Sequence, residues 1–185
     1  MKNKMTTWKI DAAHSEVNFK VKHLVVSTVR GNFDKFDATI ETNKEDFSDA
    51  VIKFEADVNS INTKNEQRDA HLKSADFFDA ENHPKMTFES TSVKKNSDYE
   101  MQATGNLTLR GVTKDVTLDV IYNGTVSGFG DSTVAGFEVR GKINRFDFGL
   151  QWNAVTEAGG IVVSNEVKIE ILAEFNKVNE AVKAA

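Results

Sequence analysis

The sequence predicts an all-β domain, a meander of about eight or nine antiparallel strands that either closes on itself or folds into two packed sheets. Three observations predict it. Residues alternate between apolar and polar along most of the chain, turn-forming clusters interrupt these runs at strand-length intervals, and one stretch of good helix formers breaks the rhythm. Alternation with a period of two marks a strand with one buried and one wet face, because successive side chains point to opposite sides. Either closure or a second packed sheet is expected, since a long open edge invites pairing with another chain.

The first clear run is SEVNFKVKHL, where Val17, Phe19, Val21 and His23 take one face and Glu16, Asn18, Lys20 and Lys22 the other. Ile52, Phe54, Ala56 and Val58 form the next apolar face. The residues KNEQRDAHLK, Lys64 to Lys73, then favour a helix, with Asn62-Thr63 able to cap its amino end. This helix is expected to stop before Pro84, and as early as Ala75. Leu72, Phe77 and Phe78 are its apolar anchors, and Met86 and Phe88 resume the alternation. Further strand faces are Leu107 with Leu109, then Val116, Leu118 and Val120, and finally Val167, Ile169, Ile171, Ala173 and Phe175. Turns are expected at Lys95-Asn96-Ser97-Asp98, Arg110-Gly111, Asn123-Gly124 and Gly128-Phe129-Gly130-Asp131. The last ten residues, NKVNEAVKAA, are expected to form a short frayed helix.

Composition narrows the function. A chain of 185 residues with 39% apolar and 28% charged residues can bury a core without metal or disulfide staples. Its net charge of −5 gives no general attraction for nucleic acid or for anionic lipid surfaces, so no nucleic-acid partner is expected. No apolar run suits membrane insertion, and the start lacks the apolar core of a secretory signal, which points to a cytoplasmic protein, or to a periplasmic or secreted one if a signal has been removed. The absence of cysteine excludes thiolate nucleophiles and iron–sulfur clusters. The four histidines, His14, His23, His71 and His83, have no metal-binding spacing, so no metal or cofactor is expected. No serine lies in a nucleophile elbow, and Asp147-Phe148-Gly149 lacks the partners that give that tripeptide a role in kinases. The 13 phenylalanines, several on apolar strand faces, either fill the barrel or line a cavity for a long apolar ligand.

Four stretches together resemble the YceI-like family of lipocalin-like, polyisoprenoid-binding proteins. They are Trp8 to Ser15 running into Val17 to His23, Arg68 to Leu72 with Asp76 to Asp79 and His83-Pro84, Thr104 to Thr113, and Arg145 to Gly149. The match extends from residue 6 to residue 176, leaving 177–185 as a short tail. It departs from the family's pattern at His83, where an aromatic residue is common, and in lacking a signal segment. The resemblance implies an extended eight-stranded antiparallel barrel, partly closed by a helix between strands. Its tunnel would hold a long isoprenoid, such as an isoprenoid quinone, a quinone precursor or a polyprenyl lipid. It also implies frequent homodimers and no catalytic step.

On this reading the tunnel is lined by Val17, Phe19, Val21, His23, Ile52, Phe54, Leu107, Leu109, Phe137, Val139, Phe146, Phe148 and Trp152. Asn18, His23 and Arg145 are the candidate polar contacts for a head group. The role is to bind, carry or store the lipid. Two other readings stand beside it: an enzyme on a hydrophobic substrate using His23, His71 or Asp147 as acid or base, and a stress-response interaction protein whose barrel is filled.

Overall fold

The computed structural model describes residues 4–154, 160 and 162–179. Eleven strand segments form one antiparallel sheet: β1 (Thr6–Ile10), β2 (Glu16–His23), β3 (Ser27–Phe33), β4 (Phe36–Thr42), β5 (Val51–Asp57), β6 (Ile61–Asn62), β7 (Lys85–Lys95), β8 (Glu100–Leu109), β9 (Val112–Ser127), β10 (Thr133–Asn144) and β11 (Val163–Lys177). One helix, α1 (Glu66–Lys73), lies between β6 and β7.

The eleven segments are eight staves, because three staves are broken in two. β1 and β2 flank a 3-10 turn at Ala12–His14, β3 and β4 flank Asp34-Lys35, and β5 and β6 flank a 3-10 turn at Val58–Ser60. Aspartates set two of these kinks by accepting backbone N–H groups two residues on: Asp11 from Ala13 at 3.0 Å and Asp57 from Asn59 at 2.9 Å. Asp11 also bonds His14 Nδ1 at 2.8 Å, which holds the carboxyl below its ordinary range and raises the imidazole. Pairing of Trp8 with both Ile40 of β4 and Lys177 of β11 closes the barrel and leaves β1 no free edge.

Helix α1, the turn joining β8 to β9 and the hairpin tip joining β2 to β3 lie at one end of the barrel. The 43–50 loop lies at the other. There Phe47, at φ +58°, packs its ring 5.3 Å from Trp8, 5.4 Å from Tyr122 and 5.1 Å from Phe137. Asp49 ties this loop down, accepting from Thr42 Oγ1 at 2.5 Å, Asn43 N at 3.1 Å, Asn43 Nδ2 at 3.2 Å and Lys44 N at 3.3 Å. The bond from Thr42 leads in holding the Asp49 carboxyl below its ordinary value. The backbone N–H of Ser48 leads in pulling Asp46 down to about 2. Depressed carboxylate values mean that this stabilisation is complete above the ordinary aspartate value of 3.8 and lost as pH falls toward about 2. Asp49→Ala is expected to cost about 2 kcal/mol and lower the melting temperature by roughly 6 °C, which calorimetry measures.

Three local expectations need correction. The helix is capped by Asn65, whose side chain accepts from Arg68 N at 2.9 Å, and not by Asn62-Thr63. Thr63 is instead buried, donating to Asp69 Oδ1 at 2.5 Å and accepting from Arg68 Nε at 2.8 Å. Asn123-Gly124 is not a turn: β9 runs through it to Ser127. Gly124 pairs with Gly136 and Tyr122 with Phe137, so Asn123 is the extra residue of a β-bulge, with Gly124 at φ +109°. At the carboxyl end Asn176 and Lys177 belong to β11, opposite Lys9 and Trp8, and residues 180–185 of the expected terminal helix lie outside the described residues.

Helix α1 buries none of its residues fully, and Leu72 is only partly covered. The segment after it makes the anchorage. Phe77 and Ala80 are buried in the core at this end of the barrel, and Arg110 Nη1 donates to the Phe77 carbonyl at 2.7 Å, fastening the segment to the β8–β9 turn.

Candidate ligand-binding cavity

Inward-facing side chains from the staves surround a cavity of about 240 Å³ that extends along the barrel. Phe47, Ala50 and Phe175 border it at the loop end, and Leu72, Phe77, Phe78 and Leu150 at the helix end. The strand period produces this lining, since one register places a whole alternating set inside. Phenylalanines pack against one another along the border, as Phe19 and Phe33 do at 5.6 Å, and the small side chains Ala38, Ala103 and Ala173 border the cavity as well. Gly31 makes room on the wall: a Cβ there would stand 2.3 Å from the Phe19 ring.

Eleven of the residues singled out from sequence border the cavity: Val17, Asn18, Phe19, Val21, Ile52, Phe54, Leu107, Leu109, Phe137, Val139 and Arg145. Four do not. His23 stands at the end of β2, beside the hairpin tip. Phe148 is buried in the core at the helix end, and Phe146 lies with its ring 4.7 Å below the Arg145 guanidinium. Trp152 packs against Phe77 at 5.2 Å and His71 at 4.8 Å, on the cover and not on the wall. Sequence reasoning passed over the β11 face from Val167 to Phe175, and Leu118, Val120, Met86 and Phe88, all of which border the cavity. Their signal was the same alternation that marked the others.

Among the described residues that border the cavity only Asn18 and Arg145 are polar. The Asn18 amide donates to Glu16 Oε2 at 3.1 Å. Arg145 is positioned by the 3-10 turn Arg145–Phe148, which Asn144 caps by accepting from Phe146 N at 3.0 Å and which Gly149 ends at φ +78°. Its guanidinium is buried and donates to four backbone carbonyls: Leu150 at 2.6 Å, Trp152 at 2.7 Å, Ser164 at 2.9 Å and Val163 at 3.2 Å. Burial pushes its pKa down, yet an arginine stays charged in proteins. The cation is thus held by carbonyl dipoles and the Phe146 ring at the edge of an apolar space.

The other histidines are occupied elsewhere. His71 Nε2 lies 2.9 Å from Asp76, and His83 Nε2 lies 4.0 Å from Asp79 with its ring against Gly111, where a Cβ would come within 2.8 Å. Asp11, His14 and Glu174 bring their ligand atoms within 4.8 Å of one another, but His14 is exposed and its Nδ1 is bonded to Asp11. Among the described residues no helix is long and apolar enough to cross a membrane.

Comparison with known proteins matches residues 8–175 to the YceI-like domain. A UPF0312 protein of Staphylococcus aureus (strain N315) is 44% identical over 175 residues, covering 93% of this chain and 98% of that protein. The crystal structure of a Campylobacter jejuni YCEI protein superposes with a TM-score of 0.74 at 34% identity, covering 91% of this chain and 96% of the other. A polyisoprenoid binding domain from Saccharophagus degradans, implicated in plant cell wall breakdown, shares the fold at a TM-score of 0.62 and 18% identity over 91% of this chain and 97% of its own.

Proposed function

The chain belongs to the YceI-like family, and from that premise we propose that its barrel binds a long isoprenoid lipid and carries or stores it without catalysing a reaction. The observation that carries this reading is the cavity itself: it extends along the barrel, and among the described residues its border is apolar except at Asn18 and Arg145. The polyisoprenoid binding domain of Saccharophagus degradans has the same fold, which favours the same class of ligand.

Burying hydrocarbon is worth about 0.8 kcal/mol per CH₂, so two isoprene units supply roughly 8 kcal/mol gross. Ordering and association oppose this with several kcal/mol. The tail therefore provides affinity, and selectivity falls to tunnel length and to the polar groups at its border. The head group, a quinone, quinone precursor or phosphate-bearing end, belongs at the helix end, where Arg145 supplies the positive potential. Arg145 is the candidate head-group contact, Asn18 being turned toward Glu16 on the β2 face opposite Val17 and Phe19, and His71 and His83 belong to the cover.

Native mass spectrometry of the protein purified from its own host, followed by lipid extraction, tests the proposal. A stoichiometric isoprenoid that survives purification is the expected result. A protein that carries no lipid and takes up no polyprenyl lipid when offered it overturns the reading.

A further inference from the structure

The hairpin joining β2 to β3 ends in three consecutive aliphatic residues, Leu24, Val25 and Val26, which are 41%, 74% and 85% exposed. Leu24 and Val25 hold φ at +50° and +65°, the left-handed region that a β-branched residue rarely enters. Val25 and Val26, apolar and largely in solvent, gain little from packing, and backbone strain of this kind persists where a contact elsewhere uses it.

The outer face beneath the tip carries a second departure. Lys142 stands opposite Lys168, Lys168 opposite Lys20, and Lys20 opposite Arg30, a row of cations across β10, β11, β2 and β3. Like charges directly opposite on neighbouring strands repel. Lys22 adds a further cation two residues before the tip, and from Lys20 to Arg30 the hairpin contains no acid. Acids beside the row include Glu170, which pairs with Lys20 at 2.5 Å and also faces Arg30 and Arg140, and the exposed Glu166 opposite Asn144. A chain with a net charge of −5 has therefore gathered cations beside the most exposed run of aliphatic side chains among the described residues.

We propose that this hairpin docks the protein on an anionic membrane, with Leu24, Val25 and Val26 entering the interface and the cationic row meeting lipid phosphates. The tip is joined to the cavity border. Leu24 N donates to the Val162 carbonyl at 2.9 Å, and the adjoining Val163 carbonyl accepts from Arg145. Docking here places the helix end of the cavity toward a bilayer. The inference goes beyond the cargo reading and is tested without it, since the vesicles contain no isoprenoid.

The chain has no cysteine, so Val26→Cys carries a single environment-sensitive dye, and Phe129→Cys places the same dye on the exposed tip of the β9–β10 hairpin at the opposite end. With phosphatidylcholine vesicles containing phosphatidylglycerol at low salt, the dye at position 26 is expected to brighten and shift to the blue. It should respond far less with phosphatidylcholine alone or at high salt, and the dye at position 129 should stay unchanged. Paired Lys142→Glu and Lys168→Glu substitutions are expected to weaken vesicle binding by at least about tenfold. Val25→Asn should also weaken it while keeping or raising the melting temperature, because asparagine tolerates the left-handed backbone. No vesicle binding, binding indifferent to anionic lipid, a response led by position 129, or a blue shift that follows protein concentration without vesicles would each overturn the proposal.

Discussion

Ala103→Phe should reduce affinity for a long isoprenoid by about a thousandfold and leave the barrel folded. Ala103 borders the cavity from β8, between Val93 and Leu118 on the flanking strands, and its methyl is among the smallest side chains of the border. A benzyl group there takes the space of about one isoprene unit, five carbons worth roughly 4 kcal/mol of burial at 0.8 kcal/mol each, or close to three powers of ten in affinity. Overpacking a filled core usually costs 1–3 kcal/mol, and at a cavity wall the cost is expected at or below about 1 kcal/mol. Titration of purged protein with a polyprenyl alcohol, alongside thermal melting, measures both quantities. Unchanged affinity in a folded variant would place the ligand elsewhere.

Arg145→Met is expected to destabilise the protein by about 4 kcal/mol and lower its melting temperature by roughly 10 °C. Methionine retains much of the aliphatic stem but withdraws every donor from the carbonyls of Leu150, Trp152, Ser164 and Val163. Unpaired carbonyls cost about 1–3 kcal/mol each when they stay buried, and some of these will find water. Arg145→Lys keeps the charge without the planar fork, so it should recover less than half of the loss. Calorimetry of the three proteins checks the order. Equal stability of the methionine and lysine variants would show that the charge contributes nothing beyond its hydrogen bonds.

Much of the cavity was legible because strands write their inner face into every second residue. Val17, Phe19 and Val21 were placed by that rule, as were Ile52, Phe54, Leu107 and Leu109. The rule has no means of saying where a strand ends its wall. His23 is in phase with Val21 but stands at the hairpin end, while Phe148 lies in, and Trp152 after, a 3-10 turn where the period no longer applies. Asn123-Gly124 misled for a related reason. The pair suits a tight turn, yet whether it turns or bulges depends on the length of the strand opposite, and Gly136 decides it. The helix cap moved from Asn62-Thr63 to Asn65 because the Thr63 hydroxyl was already engaged by Asp69 and Arg68. The apparent chemistry of the 68–88 segment resolved in the same way: His71 meets Asp76, Trp152 and Phe77, all of them parts of the cover.

The sequence by itself determined the all-β class, most of the strand faces and the apolar character of the interior, because alternation and turn chemistry act between near neighbours. Only the tertiary structure decided the rest. Closure required β1 to reach both β4 and β11, the cavity formed where apolar faces of distant strands came together, and Arg145 became a buried cation because four carbonyls converged on it. A local pattern cannot encode these outcomes, since each is set by residues far apart in the chain. The row of Lys142, Lys168, Lys20 and Arg30 is the plainest case: net charge averages over the chain, whereas a sheet sums charges across its strands.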